Sequence, residues 1–158
     1  MDQVFYLPKT INGQRSNVKC KQDNNYQSTT KGFDSKNFFV EHNGVKYAGI
    51  HLLIDFWDAN NLDDETLVTS TLKLCVEAID ATLLHIHTHK FEPNGGLSGV
   101  AVLMESHISI HTWPETGYAA FDIFTCGDTQ PLKAIEILQK AFKPKQQKIS
   151  TQFRGKQN

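Results

Sequence analysis

Between Glu105 and Pro114 the chain reads Glu-Ser-His-Ile-Ser-Ile-His-Thr-Trp-Pro, and Glu115 closes the run. A serine directly follows an acid, His111 stands five positions further on, and Cys126 comes after one more alternating apolar segment. A hydroxyl, an imidazole, carboxylates and a thiol are the parts that nucleophilic and acid–base chemistry requires. No Gly-x-Ser-x-Gly elbow, glycine-rich phosphate loop or zinc-ligand spacing frames the serine. The chemistry this order suits best is attack by the serine hydroxyl on its own backbone.

Such residues need strands to hold them. In 107–113 the side chains of His107, Ser109 and His111 share one face, and Ile108, Ile110 and Thr112 the other, because residues two apart point the same way. In 118–126, Ala119, Phe121 and Ile123 make an apolar side, while Tyr118, Asp122, Phe124 and Cys126 share the opposite one. Further strands are predicted over 48–57, 82–91 and 97–104, with a short one over 148–153. A small hairpin of 38–40 and 45–47 is predicted to turn at Asn43-Gly44. One helix is predicted to open at Asp63-Asp64-Glu65 with Asp63 as its N-cap, burying Val68, Leu72, Cys75, Val76 and Ile79. A second, over 131–142, carries Leu132, Ile135, Leu138 and Phe142 on one side and stops before Pro144. The expected fold is α+β: a two-layer sandwich, an antiparallel sheet with two amphipathic helices on one face. The other face, carrying His, Ser, Asp and Cys, then needs water or a second subunit.

The bounds agree with this. A chain of 158 residues builds one domain with a real core. The expected division is a polar, partly irregular arm over 1–37 and a single domain over 38–158, since 9–37 holds few apolar anchors. A net charge of −1 gives no steering toward nucleic acid or an anionic membrane, and no apolar run is long enough to span a bilayer. Three scattered cysteines, Cys20, Cys75 and Cys126, read as free thiols and hence as a cytoplasmic location. His85, His87 and His89 project from one strand face, a geometry that could hold a metal, but no fourth ligand stands at a fitting spacing. No metal is expected.

The segments Gly95-Gly96-Leu97-Ser98-Gly99-Val100, Glu105 through Glu115, and Tyr118-Ala119-Ala120-Phe121-Asp122-Ile123-Phe124-Thr125-Cys126-Gly127 carry a family resemblance. With Gly49-Ile50-His51-Leu52 added, the stretch over 48–155 resembles the prokaryotic S-adenosylmethionine decarboxylase family. That resemblance implies a precursor that cuts itself between Glu105 and Ser106, leaving a β chain of residues 1–105 and an α chain from residue 106. Ser106 would become a pyruvoyl group, which forms a Schiff base with the substrate amine and makes pyridoxal phosphate unnecessary. It further implies His111 as base in the processing elimination, Ser98 as support for the processing intermediate, and Cys126 as proton donor in turnover. Glu115 would bind the ribose of S-adenosylmethionine, and Phe91 and Ile108 would flank its adenine. The implied assembly is a homodimer of processed α and β chains, and the implied product is the aminopropyl donor for spermidine synthesis. Two alternatives stay open: a pyruvoyl-dependent ornithine or arginine decarboxylase, and a non-enzymatic regulatory homologue in a mixed dimer. Intact Glu105, Ser106, His111 and Cys126 speak against the latter. His107 reads as a hydrogen-bonding neighbour of the cleavage point, and Asp122 as either a functional or a structural carboxylate.

Overall fold

The structure is a computed structural model that describes residues 38–157, so the polar arm expected over 1–37 lies outside the described residues. Strands β1 (Val40–His42) and β2 (Val45–Trp57) form the expected hairpin. Asn43 and Gly44 take φ of 51° and 73°, the left-handed pair that a two-residue turn needs. The second strand of that hairpin does not stop near Tyr47. It continues unbroken for 13 residues, because nothing between Tyr47 and Trp57 interrupts the ladder.

Helix α1 (Glu65–Ala78) follows, then β3 (Leu83–Lys90), β4 (Leu97–Leu103), β5 (Ser106–Trp113), a single helical turn Pro114–Thr116, and β6 (Tyr118–Thr125). Helix α2 (Lys133–Phe142) and β7 (Gln146–Lys156) complete the domain. Asp64, one residue later than predicted, caps α1: its extended backbone lets Oδ1 accept from Leu67 N–H at 2.9 Å. The Asp63 carbonyl is taken instead by Lys90 Nζ at 2.8 Å. Helix α2 begins at Lys133, so Leu132 precedes it and lies exposed, and Ala134, Leu138 and Phe142 form the buried stripe. Strand β7 spans 11 residues, well beyond the predicted 148–153.

All seven strands among the described residues join one antiparallel sheet. Strand β2 lies between β6 and β7, and the order continues β6-β5-β4-β3. Register places Leu52, Ile123, Ile108 and Ala101 side by side across four strands, all at 0 % exposure. Both helices deliver their buried side chains, Val68, Leu72, Cys75 and Val76 from α1 and Ala134, Leu138 and Phe142 from α2, into this same core. Each large aliphatic side chain removed from water here contributes about 1.5–3 kcal/mol. The fold is therefore the expected α+β two-layer sandwich. Its other sheet face carries residues of the opposite parity: His51 and Asp55 of β2, Asp122 of β6, His107, Ser109 and His111 of β5, and Ser98 of β4.

Candidate active site

The predicted cleavage point lies where β4 turns into β5. Leu103 pairs with Ser106, so Met104 and Glu105 are the two turn residues. Ser106 has φ of 142°, a backbone state that costs a residue bearing a Cβ about 1–3 kcal/mol and persists only where its surroundings impose it. The surroundings do so through Glu105. Its carboxylate accepts from Thr82 N–H at 2.9 Å and from Thr82 Oγ1 at 3.2 Å, and its carbonyl oxygen accepts from Cys126 N–H at 3.2 Å. Met104 N–H adds a bond of 3.0 Å to the Thr82 carbonyl. The half-buried Ser106 hydroxyl lies 3.2 Å from His107 Nδ1. Thus a hydroxyl, a polarised carbonyl and an imidazole meet at one strained peptide.

Cys126 is anchored on both sides of its α-carbon, since Thr129 Oγ1 donates to its carbonyl at 3.1 Å. Burial, and then the nearby Glu105 carboxylate, push its thiol above the ordinary range, against the lowering effect of a backbone hydrogen bond. The thiol therefore holds its proton at neutral pH. Thr125, the register partner of Ser106, is 0 % exposed, and its Oγ1 has no hydrogen-bond partner among the described residues. A buried hydroxyl without a partner is unusual in a native fold.

The other implied residues gather at the opposite end of the sheet. Ser98 Oγ and His111 Nδ1 lie 3.1 Å apart on paired positions of β4 and β5. Glu115 is exposed on the turn after β5. Phe91, 48 % exposed, meets the His89 ring edge-on at 4.7 Å. Nearby, Trp57, Trp113, Thr116 and Tyr118 line a cavity of about 500 Å³. Burial, then the bond from Tyr118 to Asp55 at 2.6 Å and the charges of Asp55 and Asp122, raise the Tyr118 hydroxyl to about 12. His111 stands five residues along β5 from Ser106, about 16 Å at roughly 3.3 Å per residue. The structure thus brings Glu105, Ser106 and Cys126 together, and separately Ser98, His111, Glu115 and Phe91.

Ile108 joins neither group: it is fully buried on the helix side of β5, so strand alternation sends it away from an adenine pocket on the open face. Asp122 pairs with His51 Nε2 at 3.1 Å, and Arg154 lies over the Phe124 ring beside them at 5.0 Å. His85, His87 and His89 are all exposed, and among the described residues no group of three or more His, Cys, Asp or Glu is placed to hold a metal. Sequence reasoning missed Thr82 and Thr125. A threonine continuing the buried series Ala119, Phe121, Ile123 was the available signal for Thr125; a contact spanning 23 residues left none for Thr82.

Fold and site together define a class: two-layer α+β proteins with a strained acid–serine peptide at a hairpin turn and a proton-holding thiol one strand away. The family model described as S-adenosylmethionine decarboxylase matches residues 50–155, and the chain belongs to that family. It is 42% identical over 112 residues to the S-adenosylmethionine decarboxylase proenzyme of Thermomicrobium roseum, a match covering 70% of this chain and 97% of that one. The proenzyme of the same description from Methanococcus maripaludis strain C7 is 46% identical over 114 residues, covering 70% and 93%. Among solved structures, the adenosylmethionine decarboxylase of Aquifex aeolicus VF5 is similar with a TM-score of 0.59 at 32% identity, covering 68% of this chain and 90% of that one.

Proposed function

We propose that the chain is a self-cleaving precursor whose mature form decarboxylates S-adenosylmethionine, yielding the aminopropyl donor for spermidine synthesis. The observation that carries this reading is the Glu105–Ser106 peptide, strained at Ser106 and hydrogen-bonded at the Glu105 carbonyl by Cys126 N–H. Attack by Ser106 Oγ on that carbonyl carbon places negative charge on an oxygen already facing a donor. Breaking the C–N bond leaves an ester and a free amine at Ser106. Loss of the Ser106 α-proton, with His111 as base and Ser98 in support, expels the Glu105 carboxylate; hydrolysis then releases ammonia. The products are chains of residues 1–105 and 106–158.

The residues at the turn fit a pyruvoyl group at position 106, because the orphan Thr125 hydroxyl lies in register with it. That group supplies the electron sink for loss of carbon dioxide that pyridoxal phosphate supplies elsewhere. Cys126, its thiol raised, retains the proton that the substrate carbon must regain. Glu115 accepts from the ribose hydroxyls, and exposed Phe91 offers a face to the adenine.

The separation of about 16 Å between Ser106 and His111 along one strand supports a site shared between two chains. A second copy that lends its Ser98, His111, Glu115 and Phe91 to the Ser106 and Cys126 of the first would complete each site about a two-fold axis. The active unit is therefore a homodimer of processed chains, acting in the cytoplasm, where Cys75 and Cys126 remain free thiols. Among the described residues no helix is long and apolar enough to cross a membrane. The test is release of labelled carbon dioxide from carboxyl-labelled S-adenosylmethionine, ornithine and arginine. Release from the first alone is expected; release from either amino acid instead overturns the substrate assignment.

A further inference from the structure

We propose that His107 is the base that activates Ser106 in the first step of self-cleavage, a role separate from that of His111. The inference rests on the self-processing reading above. Among the described residues, His107 Nδ1 is the side-chain atom within hydrogen-bond distance of Ser106 Oγ, at 3.2 Å. His111 of the same chain is about 16 Å away by strand geometry. The register neighbours of His107 are Val102 on β4 and Phe124 on β6, both apolar, and the Phe124 ring meets the imidazole at 6.1 Å between centroids. Neither neighbour offers a competing acceptor or donor, so the imidazole keeps its Nδ1 lone pair for the hydroxyl when Nε2 carries the hydrogen. The titratable and charged groups around it are Glu105 and Cys126 at the turn, Asp122 on β6, His51 on β2 with Arg154 on β7 over the Phe124 ring, and His85 beyond Val102 on β3.

The step balances without any outside reagent. Nδ1 takes the proton from Ser106 Oγ as Oγ bonds to the Glu105 carbonyl carbon, and the carbonyl electron pair moves to the oxygen held by Cys126 N–H. When that pair returns, the Glu105 C–N bond breaks, and the departing Ser106 nitrogen takes the same proton back from Nδ1. His107 ends neutral, having carried one proton from oxygen to nitrogen of a single residue. The positive φ of Ser106 marks the peptide at which this hydroxyl and imidazole meet as strained.

The test follows the freshly synthesised full-length chain over time, from about pH 5.5 to about pH 8.5. It uses a His111→Ala background, so that only one candidate imidazole acts, and added hydroxylamine, which splits the ester and reports its formation alone. The expected result is scission that rises with pH in a single step, because only a neutral imidazole can take the hydroxyl proton. His107→Ala slows it by about 10²-fold or more, a typical general-base contribution, removes the step, and regains rate with added imidazole. His107→Gln, which keeps a hydrogen-bonding group but cannot carry a proton, stays as slow as alanine. A rate flat with pH in the His107 protein, or glutamine scission within about threefold of it, overturns the inference. The first outcome needs no variant at His107 that might misfold. If the unmutated chain never cleaves at Glu105–Ser106, the self-processing reading fails first; if it cleaves and His107 has no effect, only this inference fails.

Discussion

Thr125 offers the sharpest separation of stability from chemistry. Its buried Oγ1 already lacks a partner, so Thr125→Val removes an unsatisfied group and keeps the shape. The melting temperature should stay level or rise, consistent with a gain of up to about 1 kcal/mol, while processing or turnover falls. A drop in both by comparable amounts would show that the hydroxyl serves only the fold. Cys126 gives a prediction in pH. Burial and the Glu105 charge raise its thiol, so the protonated donor persists and kcat should hold as pH rises through the ordinary thiol range. A falling limb nearer neutrality contradicts the proton-donor role. Cys126→Ala should still process, since the N–H that faces Glu105 is backbone, yet lose most turnover in a carbon dioxide release assay. The reactive types were legible because Ser106, His111 and Cys126 sit in a dense motif. Their clamps were not, since Thr82 reaches Glu105 only after the chain has folded back.

Strands revealed themselves through alternation wherever one face was apolar and the other polar, as in β5 and β6. Strand β7 was only half legible: it lies at the sheet edge, most of its side chains are exposed, and Gln146, Gln147, Arg154 and Lys156 break the hydrophobic rhythm while backbone pairing to β2 continues. The cap of α1 was misread by one residue because two adjacent aspartates satisfy the same rule, and only backbone geometry chooses Asp64. Gly49 links β2 to the site. A Cβ there would stand 2.5 Å from the Thr125 carbonyl oxygen and 2.9 Å from Phe124 Cε2, on the two residues preceding Cys126. Gly49→Ala should therefore slow precursor cleavage by displacing Thr125 and Cys126, measured as the rate of band conversion on a denaturing gel. Unchanged cleavage would mean the strand pair yields without moving the site. Leu138→Ala, at the centre of the helix layer, should cost about 2–5 kcal/mol in chemical denaturation with no selective effect on cleavage.

The molecule as a whole sets Ser106 and Cys126 at one end of the sheet and Ser98 and His111 at the other, a division invisible in a linear motif that names all the residues together. Alternation revealed the face, but the distance between its ends emerged only from strand register. Co-expressed Cys126→Ala and His111→Ala chains test the division, because a mixed dimer contains one site with both halves intact. Random pairing should restore about a quarter of wild-type activity where each parent has little, as isologous symmetry requires. Activity no greater than the parents' would place each site within one chain. The central claim, that Ser106 cuts the peptide before it, is tested most directly by the intact mass of the purified protein. The account predicts two chains, residues 1–105 and 106–158, the smaller blocked at its amino terminus, with Ser106→Ala remaining whole and inactive. A single uncut polypeptide of 158 residues that nevertheless decarboxylates S-adenosylmethionine would contradict it.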